Sequence, residues 1–397
     1  MTEKGRNKAG VFRNELKRVI DDHSILLTVI IAPLLYAFFL GSIYYKKDID
    51  QIDFAVVDYD NSMTSRKLTQ LLRANPKINV IGYLKNYQEA VEKLYKLEAK
   101  GFLVFPDGFE KDLFRLEGSN VALYLNTTRF LPSNDLNKAV NMVMATAGSG
   151  VRLKYFVANG KNPQQAMELI NPILADVRPI YNPLNSYGGF LLPGLFFLIL
   201  QQTLLIGLGE SVSRDKEKGI LNNLLVEKGG IANYLFGKTA YYIFLYSAYI
   251  VLFMAVVFPF FEIPVAGAII PSFTISLLFL LTIMLLAILI GSFVNSQIRI
   301  MEILAFTTYP FFLISGYSWP VSAMPEPIQW LSYLVPTTPM LEAMSKLFIM
   351  GGGWMDVLGP FRHLMVLFTL MYLSVLFRLE YLRKRKKTEI KLGTSLN

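Results

Sequence analysis

The chain has no cysteine and only two histidines, His23 and His363, among 397 residues. The first absence excludes disulfides, thiolate nucleophiles and zinc–thiolate sites. The second leaves no material for a multi-histidine metal centre. Charge is also scarce: 17% of residues are charged, against about 25% in soluble domains. The charges cluster, with none from Pro179 to Gly209 and none from Thr239 to Phe261. The centres of the apolar runs lack ionisable residues, so ion-coupled transport through a proton relay is not expected. No nucleophile–base pair or carboxylate pair falls within them. No catalytic residue, no metal site and no cofactor bound by this chain are therefore expected.

What is abundant is apolar. The chain is 53% hydrophobic, with a mean hydropathy of +0.39. Each neutral gap is long enough to cross a bilayer, which takes about 20 apolar residues. A net charge of +9 would suit nucleic acid, but the basic residues crowd the termini and short loops. That is the pattern of topology determinants, so no nucleic-acid partner is expected. The first apolar run ends at Tyr44, Tyr45, Lys46 and Lys47 without a small-residue cleavage site, so a retained span is expected there.

Residues 1–23 carry Lys4, Arg6, Lys8, Arg13, Lys17 and Arg18, which places them in the cytosol. Val11, Phe12, Leu16, Val19 and Ile20 form an apolar stripe at helical spacing, which reads either as a helix lying along the inner membrane surface or as a plain basic anchor. Span one follows within 24–45, with Pro33 expected to kink it. Residues 46–185 alternate strand-like and helical stretches, among them IDFAVV at Ile52 and FLVF at Phe102, which predicts a small α/β domain. With the N-terminus inside and one span crossed, that domain lies outside.

Residues 186–378 hold five more spans, predicted near Phe190–Gly209, Thr239–Phe261, Phe273–Phe293, Ile303–Tyr317 and Val357–Phe377. Between the fifth and sixth, residues 320–350 contain Pro325, Pro327, Pro336 and Pro339, too many for one straight spanning helix. They predict a re-entrant or interfacial element buried against the outer side of the bundle. A basic tail, 379–397, holds the C-terminus in the cytosol. The fold class is thus an α-helical polytopic membrane protein with six transmembrane helices and an inserted α/β extracytoplasmic domain.

Two motifs fail. Gly237, Lys238 and Thr239 end like a phosphate-binding loop, but position 232 is Ala232 where glycine is needed. Asp58, Asp60 and Ser62 begin like a calcium loop, but Met63 stands at the glycine position and Thr69 at the glutamate position, so a turn is expected. Two features remain. Gln201, Gln202 and Thr203 sit inside the second span, where polar side chains either bond neighbouring helices or line a pathway. The loop 210–236 opens with both signs of charge and turns amphipathic at Ile220, Leu221, Leu224 and Leu225. It is either an ordinary solvated loop or a handle on which a soluble partner pushes.

In order along the chain come FRNELKRVIDDHS, IIAPLL, AVVDYDNS, GFLVFPDGFEKDL, YNPLNSYGGFLLPGLFFLILQQ, SRDKEKGILNNLLV and SGYSWPVSAMPEPIQWLSYLVPTTPMLEAM. This series resembles the type-2 permease subunits of ATP-binding-cassette exporters, in the branch with a large extracytoplasmic domain after the first transmembrane helix. The resemblance covers nearly the whole chain. It implies an exporter of an amphipathic, drug-like or lipid-like substrate in a bacterial inner membrane, energised by ATP and magnesium on a separate ATPase subunit. It also implies a second permease chain, identical or a sister, and in a two-membrane cell leaves room for a periplasmic adaptor and an outer-membrane channel. By the same resemblance Arg214, Glu217, Gly219, Leu221 and Leu224 form the coupling element, with Ile220 where the family usually has threonine. Glu15 and Arg18 belong to a connecting helix at the same interface, and Gln201, Gln202 and Thr203 line the pathway. A rival of another class shares the membrane architecture: a non-transporting envelope protein serving as phage receptor or secretion accessory.

Overall fold

The computed structural model of the protein describes residues 16–17, 19–45, 51–115, 119–170, 180–181, 187–227, 229–263, 265 and 267–394. Of the predicted surface helix, Glu15 and Arg18 lie outside the described residues, as do Val11 and Phe12. Val19 is buried, while Leu16 and Ile20 are exposed. The chain divides into two compact units, 48–178 on the one hand and 1–47 with 179–397 on the other.

The smaller unit is an α/β layer structure. Its strands are β1 Ile52–Asp58, β2 Ile78–Leu84, β3 Gly101–Phe105 and β4 Ala122–Leu125, in sheet order β2-β1-β3-β4. β1 pairs in parallel with β2 and β3, and β4 runs antiparallel to β3. Parallel neighbours need crossover connections, and α1 Met63–Ala74 and α2 Tyr87–Tyr95 supply them. Along β1, Phe54 and Val56 face Leu68 and Leu72 of α1, while Ala55 and Val57 face Ala90 of α2. Alternation along one strand thus places a helix on each side of the sheet. The first side is completed by Phe109 of α3 Phe109–Arg115 and by Leu136 and Val140 of α4 Phe130–Ala158. A last helix, α5, spans Pro163–Ile170. Ser62 caps α1 by accepting from Ser65 N at 3.1 Å. Asp58 closes the preceding turn by accepting from the Asp60 and Asn61 amides at 3.1 and 3.0 Å. β2 outruns its predicted end at Ile81 because a bulge at that point lets the pairing resume from Gly82.

Among its described residues the larger unit contains six helices long and apolar enough to span a membrane: His23–Ile43, Tyr187–Glu217, Gly230–Phe260, Ile269–Phe293, Gln297–Ile314 and Trp354–Lys391. The second is the hub, with the first, fourth and fifth packed around it. At Gly291 of the fourth span, an added Cβ would stand 2.8 Å from the Gly209 carbonyl oxygen, so only glycine permits that approach.

Pro33 and Pro259 are accommodated by one device. Each follows a short π-helical stretch, Leu27–Ile31 or Phe253–Val257. The widened turn makes room for the proline ring, which would otherwise meet the carbonyl four residues back. Pro33 has no N–H to offer Val29 O. The Tyr249 hydroxyl of the third span supplies a donor instead, 3.2 Å from Val29 O and 2.9 Å from Ile30 O.

Three predicted boundaries move. The second span continues helically eight residues past Gly209, because its charged side chains find partners inside the bundle. The third begins at Gly230 rather than Thr239, and the last helix runs unbroken from Trp354 to Thr394, so the predicted tail begins as helix. The proline-rich stretch forms a 3₁₀ turn, Val321–Ala323, then α7 Glu326–Leu334 and α8 Thr337–Met344. Its prolines sit at helix starts, where a missing N–H costs nothing. α8 is buried through Met340, Leu341, Ala343 and Met344, and the π-helical turn Ser345–Ile349 after it through Leu347 and Phe348. α7 exposes Trp330, Leu331, Tyr333 and Leu334. Beside α8, the Tyr317 ring stacks on Phe190 at 4.8 Å, and burial pushes its phenol well above the ordinary value.

Candidate functional site

The charged end of the second span is bonded to its neighbours on two helix faces. Ser211 and Asp215, one turn apart, face the third span. There the Lys238 ammonium lies 2.8 Å from Asp215 Oδ2 and donates to Ser211 Oγ at 2.5 Å. Both charged side chains are only 2% exposed. Glu210, Arg214 and Glu217 occupy the adjacent face. Arg214 pairs with Asp22, which also caps the first span by accepting from Ser24 N at 3.1 Å. Glu210 Oε1 accepts from the Gln297 side chain, and Glu217 Oε2 accepts from the Gln297 amide at 3.2 Å, where the fifth span starts. Ser213 Oγ donates to Val294 O at 3.0 Å, just beyond the fourth. The Arg378 guanidinium ties the last helix to the fourth span, donating to Ser292 O at 3.1 Å and lying 4.1 Å above the Phe293 ring.

Chain direction then reverses through α6, Ile220–Val226. Gly219 and Gly229 stand at its two corners with φ of +66° and +84°, a left-handed backbone that side-chain-bearing residues adopt only with strain. Leu221, Leu224 and Leu225 turn inward and join a core that includes Leu379 and Leu382 of the last helix. Glu217, Lys218, Asn223 and Glu227 are exposed.

The predicted coupling residues therefore separate by role. Arg214 is half-buried in its pair with Asp22, Glu217 is exposed, and Gly219 makes the corner. Leu221 and Leu224 point into the bundle. The hydrophobic pattern of α6 announced an amphipathic helix but not that its apolar face was already covered.

The predicted pathway residues lie elsewhere on the same helix. Gln201 is buried and accepts from Thr337 Oγ1 of α8 at 2.6 Å. Gln202 donates to Leu304 O of the fifth span at 2.7 Å, and Thr203 accepts from the Tyr246 hydroxyl of the third at 3.0 Å. All three bond neighbouring elements, and only Gln202 is partly exposed. A cavity of about 290 Å³ opens near the other end of the bundle, lined by Phe190, Tyr317, Leu341, Glu342, Lys346 and Met350 among others. It does not reach Gln201, Gln202 or Thr203. Among the described residues no group of His, Asp and Glu is placed to hold a metal.

The buried charges Glu210, Asp215 and Lys238 escaped sequence reasoning. It took the first two for loop residues and met Lys238 only as part of a rejected phosphate motif. The available signal was positional: Ser211 and Asp215 are four apart, and Lys238 is the lone charge at the start of a long neutral run.

The profile of ABC-2 family transporter proteins matches residues 23–378. The chain belongs to the ABC-2 transporter family. This ABC-2 permease is 23% identical over 339 residues to the probable multidrug ABC transporter permease YbhR of Escherichia coli K12, covering 85% of this chain and 89% of that protein. It is likewise 23% identical over 340 residues to the probable multidrug ABC transporter permease YbhS of the same organism, covering 85% and 87%. Over 197 residues it is 24% identical to ABC transporter G family member 20 of Dictyostelium discoideum, covering 48% of this chain and 26% of that one. The permease is a multi-pass membrane transport subunit. Its family implies an ATPase partner and a dimeric arrangement.

Proposed function

We propose that this permease is the membrane half of an ATP-driven exporter, and that its ATPase docks on the outward face of α6 and the preceding corner. The observation that carries this reading is the two-sidedness of residues 210–227. Their inner face is bonded to the first, third, fourth and fifth spans and packed on the last helix, while Glu217, Lys218, Asn223 and Glu227 remain exposed. A force applied there is delivered to the whole bundle. Nucleotide binding on the partner, with ATP and magnesium held there, would shift the spans between access states through differential affinity. The density of basic residues at both chain ends supports placing α6 and both termini in the cytosol of a bacterial inner-membrane protein. The 48–178 unit then lies outside, where it could meet an adaptor or channel protein.

The cargo is an amphipathic, drug-like or lipid-like molecule. The multidrug names of the two Escherichia coli relatives and the apolar character of the spans support that class. Gln202, partly exposed beside the fifth span, is the pathway candidate of the 201–203 set. The pathway itself would form between two permease chains.

Co-purification with the ATPase encoded beside this chain tests the docking face. Glu217→Lys combined with Glu227→Lys is expected to release the ATPase and leave the permease folded. Leu221→Asp is expected to damage the fold itself, since Leu221 is fully buried. An ATPase retained by the double variant refutes this docking face. A folded wild-type chain that captures no ATPase refutes the pump and leaves the receptor or accessory reading in its place.

A further inference from the structure

The second and third spans run antiparallel and are joined by hydrogen bonds at a regular interval. Thr203 accepts from the Tyr246 hydroxyl at 3.0 Å, Gly207 O accepts from the Tyr242 hydroxyl at 3.3 Å, and Ser211 and Asp215 hold Lys238. Positions 203, 207, 211 and 215 on one helix thus meet 246, 242 and 238 on the other. Residues four apart share a helix face, so the contacts form one line about 18 Å long. Tyr246, Tyr242 and Lys238 are all buried.

Stability is a poor explanation for the charged base of this ladder. A buried ion pair is often matched or bettered by apolar side chains of similar volume, because taking two charges out of water costs about what their attraction returns. Apolar contacts also let packed helices slide by small shears. A paired lysine and carboxylate instead keep their register, because separating them strands a charge. Asp215 stands four residues before the Gly219 corner, where displacement of α6 first enters the second span. Thr203, at the other end, adjoins Gln201 and Gln202.

We infer that Lys238, through Asp215 and Ser211, is a positioning residue that makes the third span follow the second. The polar ladder then carries the stroke of α6 to the level of Gln201–Thr203. This inference rests on the pump reading above. Its unit is two helices locked as one body, distinct from a general loosening of the bundle.

The test uses the complete permease–ATPase complex. Because the chain lacks cysteine, Ala232→Cys, exposed in the first turn of the third span at its water-facing end, gives a single labelling site in it. Maleimide labelling of that site is compared without nucleotide and with a non-hydrolysable ATP analogue. In the otherwise wild-type complex the rate is expected to change about tenfold, within the ordinary range of coupling between sites. Lys238→Met with Asp215→Leu should melt no lower and still hold the ATPase, with the nucleotide response reduced to less than about twofold. The exchanged pair, Lys238→Asp with Asp215→Lys, should restore the response. Tyr246→Phe, which removes one oxygen, should weaken it with the fold intact, and this variant decides the matter if the apolar pair fails to fold. A full response in the apolar pair, or in Tyr246→Phe where that variant decides, overturns the inference and leaves the pump standing. A wild-type complex with no nucleotide response removes both.

Discussion

The second and fifth spans pack against each other, yet their surroundings differ sharply. In the second, 78% of the apolar window is buried within its own chain; in the fifth, 11% is. The fifth presents Ile298, Ile303, Phe306, Tyr309 and Leu313 outward and buries Ile300 and Leu304. In lipid an exposed apolar face carries no penalty, because the chains around it are as apolar as the side chains. The comparison therefore separates two jobs. The second span organises the protomer, and its polar groups are spent on holding neighbours. The fifth is free to meet lipid or the second chain that the family's dimeric arrangement supplies. A pathway between protomers would be bordered mainly by the fifth span and by the few second-span side chains that reach its surface, Gln202 among them.

Equal substitutions in the two helices break or confirm this contrast. Phe196 of the second span is fully buried, its ring 5.5 Å from those of Phe253 and Phe258. Phe196→Ala leaves a cavity between the second and third spans and is expected to cost about 3 kcal/mol, read as a lower unfolding temperature in detergent. A middle-sized effect is expected from Tyr249→Phe, which removes the hydroxyl serving the carbonyls beside Pro33. That change should cost about 1 kcal/mol in the same measurement. Phe306→Ala should be smallest, within about 0.5 kcal/mol for the single chain, since its ring is 80% exposed. Comparable losses at Phe196 and Phe306 would mean that the fifth span is as firmly built into the protomer as the second. If Phe306→Ala leaves chain stability intact but weakens self-association, the contrast sharpens into an interface.

The number and order of the spans were legible because long neutral runs have no other use in a chain of this length. The α/β unit was legible from short β-branched and aromatic runs, although Gly82 hid the second half of β2. The charged end of the second span was not. Glu210, Arg214 and Asp215 read as solvated because charge in a sequence carries no record of its partner. Asp22, Lys238 and Gln297 come from three other helices and meet those side chains only in the folded bundle. Leu221 and Leu224 show the same limit, since periodicity names a face and only packing says what covers it.

The last helix runs from Trp354 to Thr394, and at 1.5 Å per residue that is a mast of about 60 Å. A bilayer's hydrocarbon layer is about 30 Å thick, so the water line must cut across the helix partway along. Arg378, the first charge after a long apolar stretch, marks that line. From there a rigid pole of about 24 Å stands proud of the surface, carrying Arg383, Lys384, Arg385, Lys386 and Lys387 beside the foot of α6. Any soluble body arriving at α6 therefore meets that basic pole alongside it.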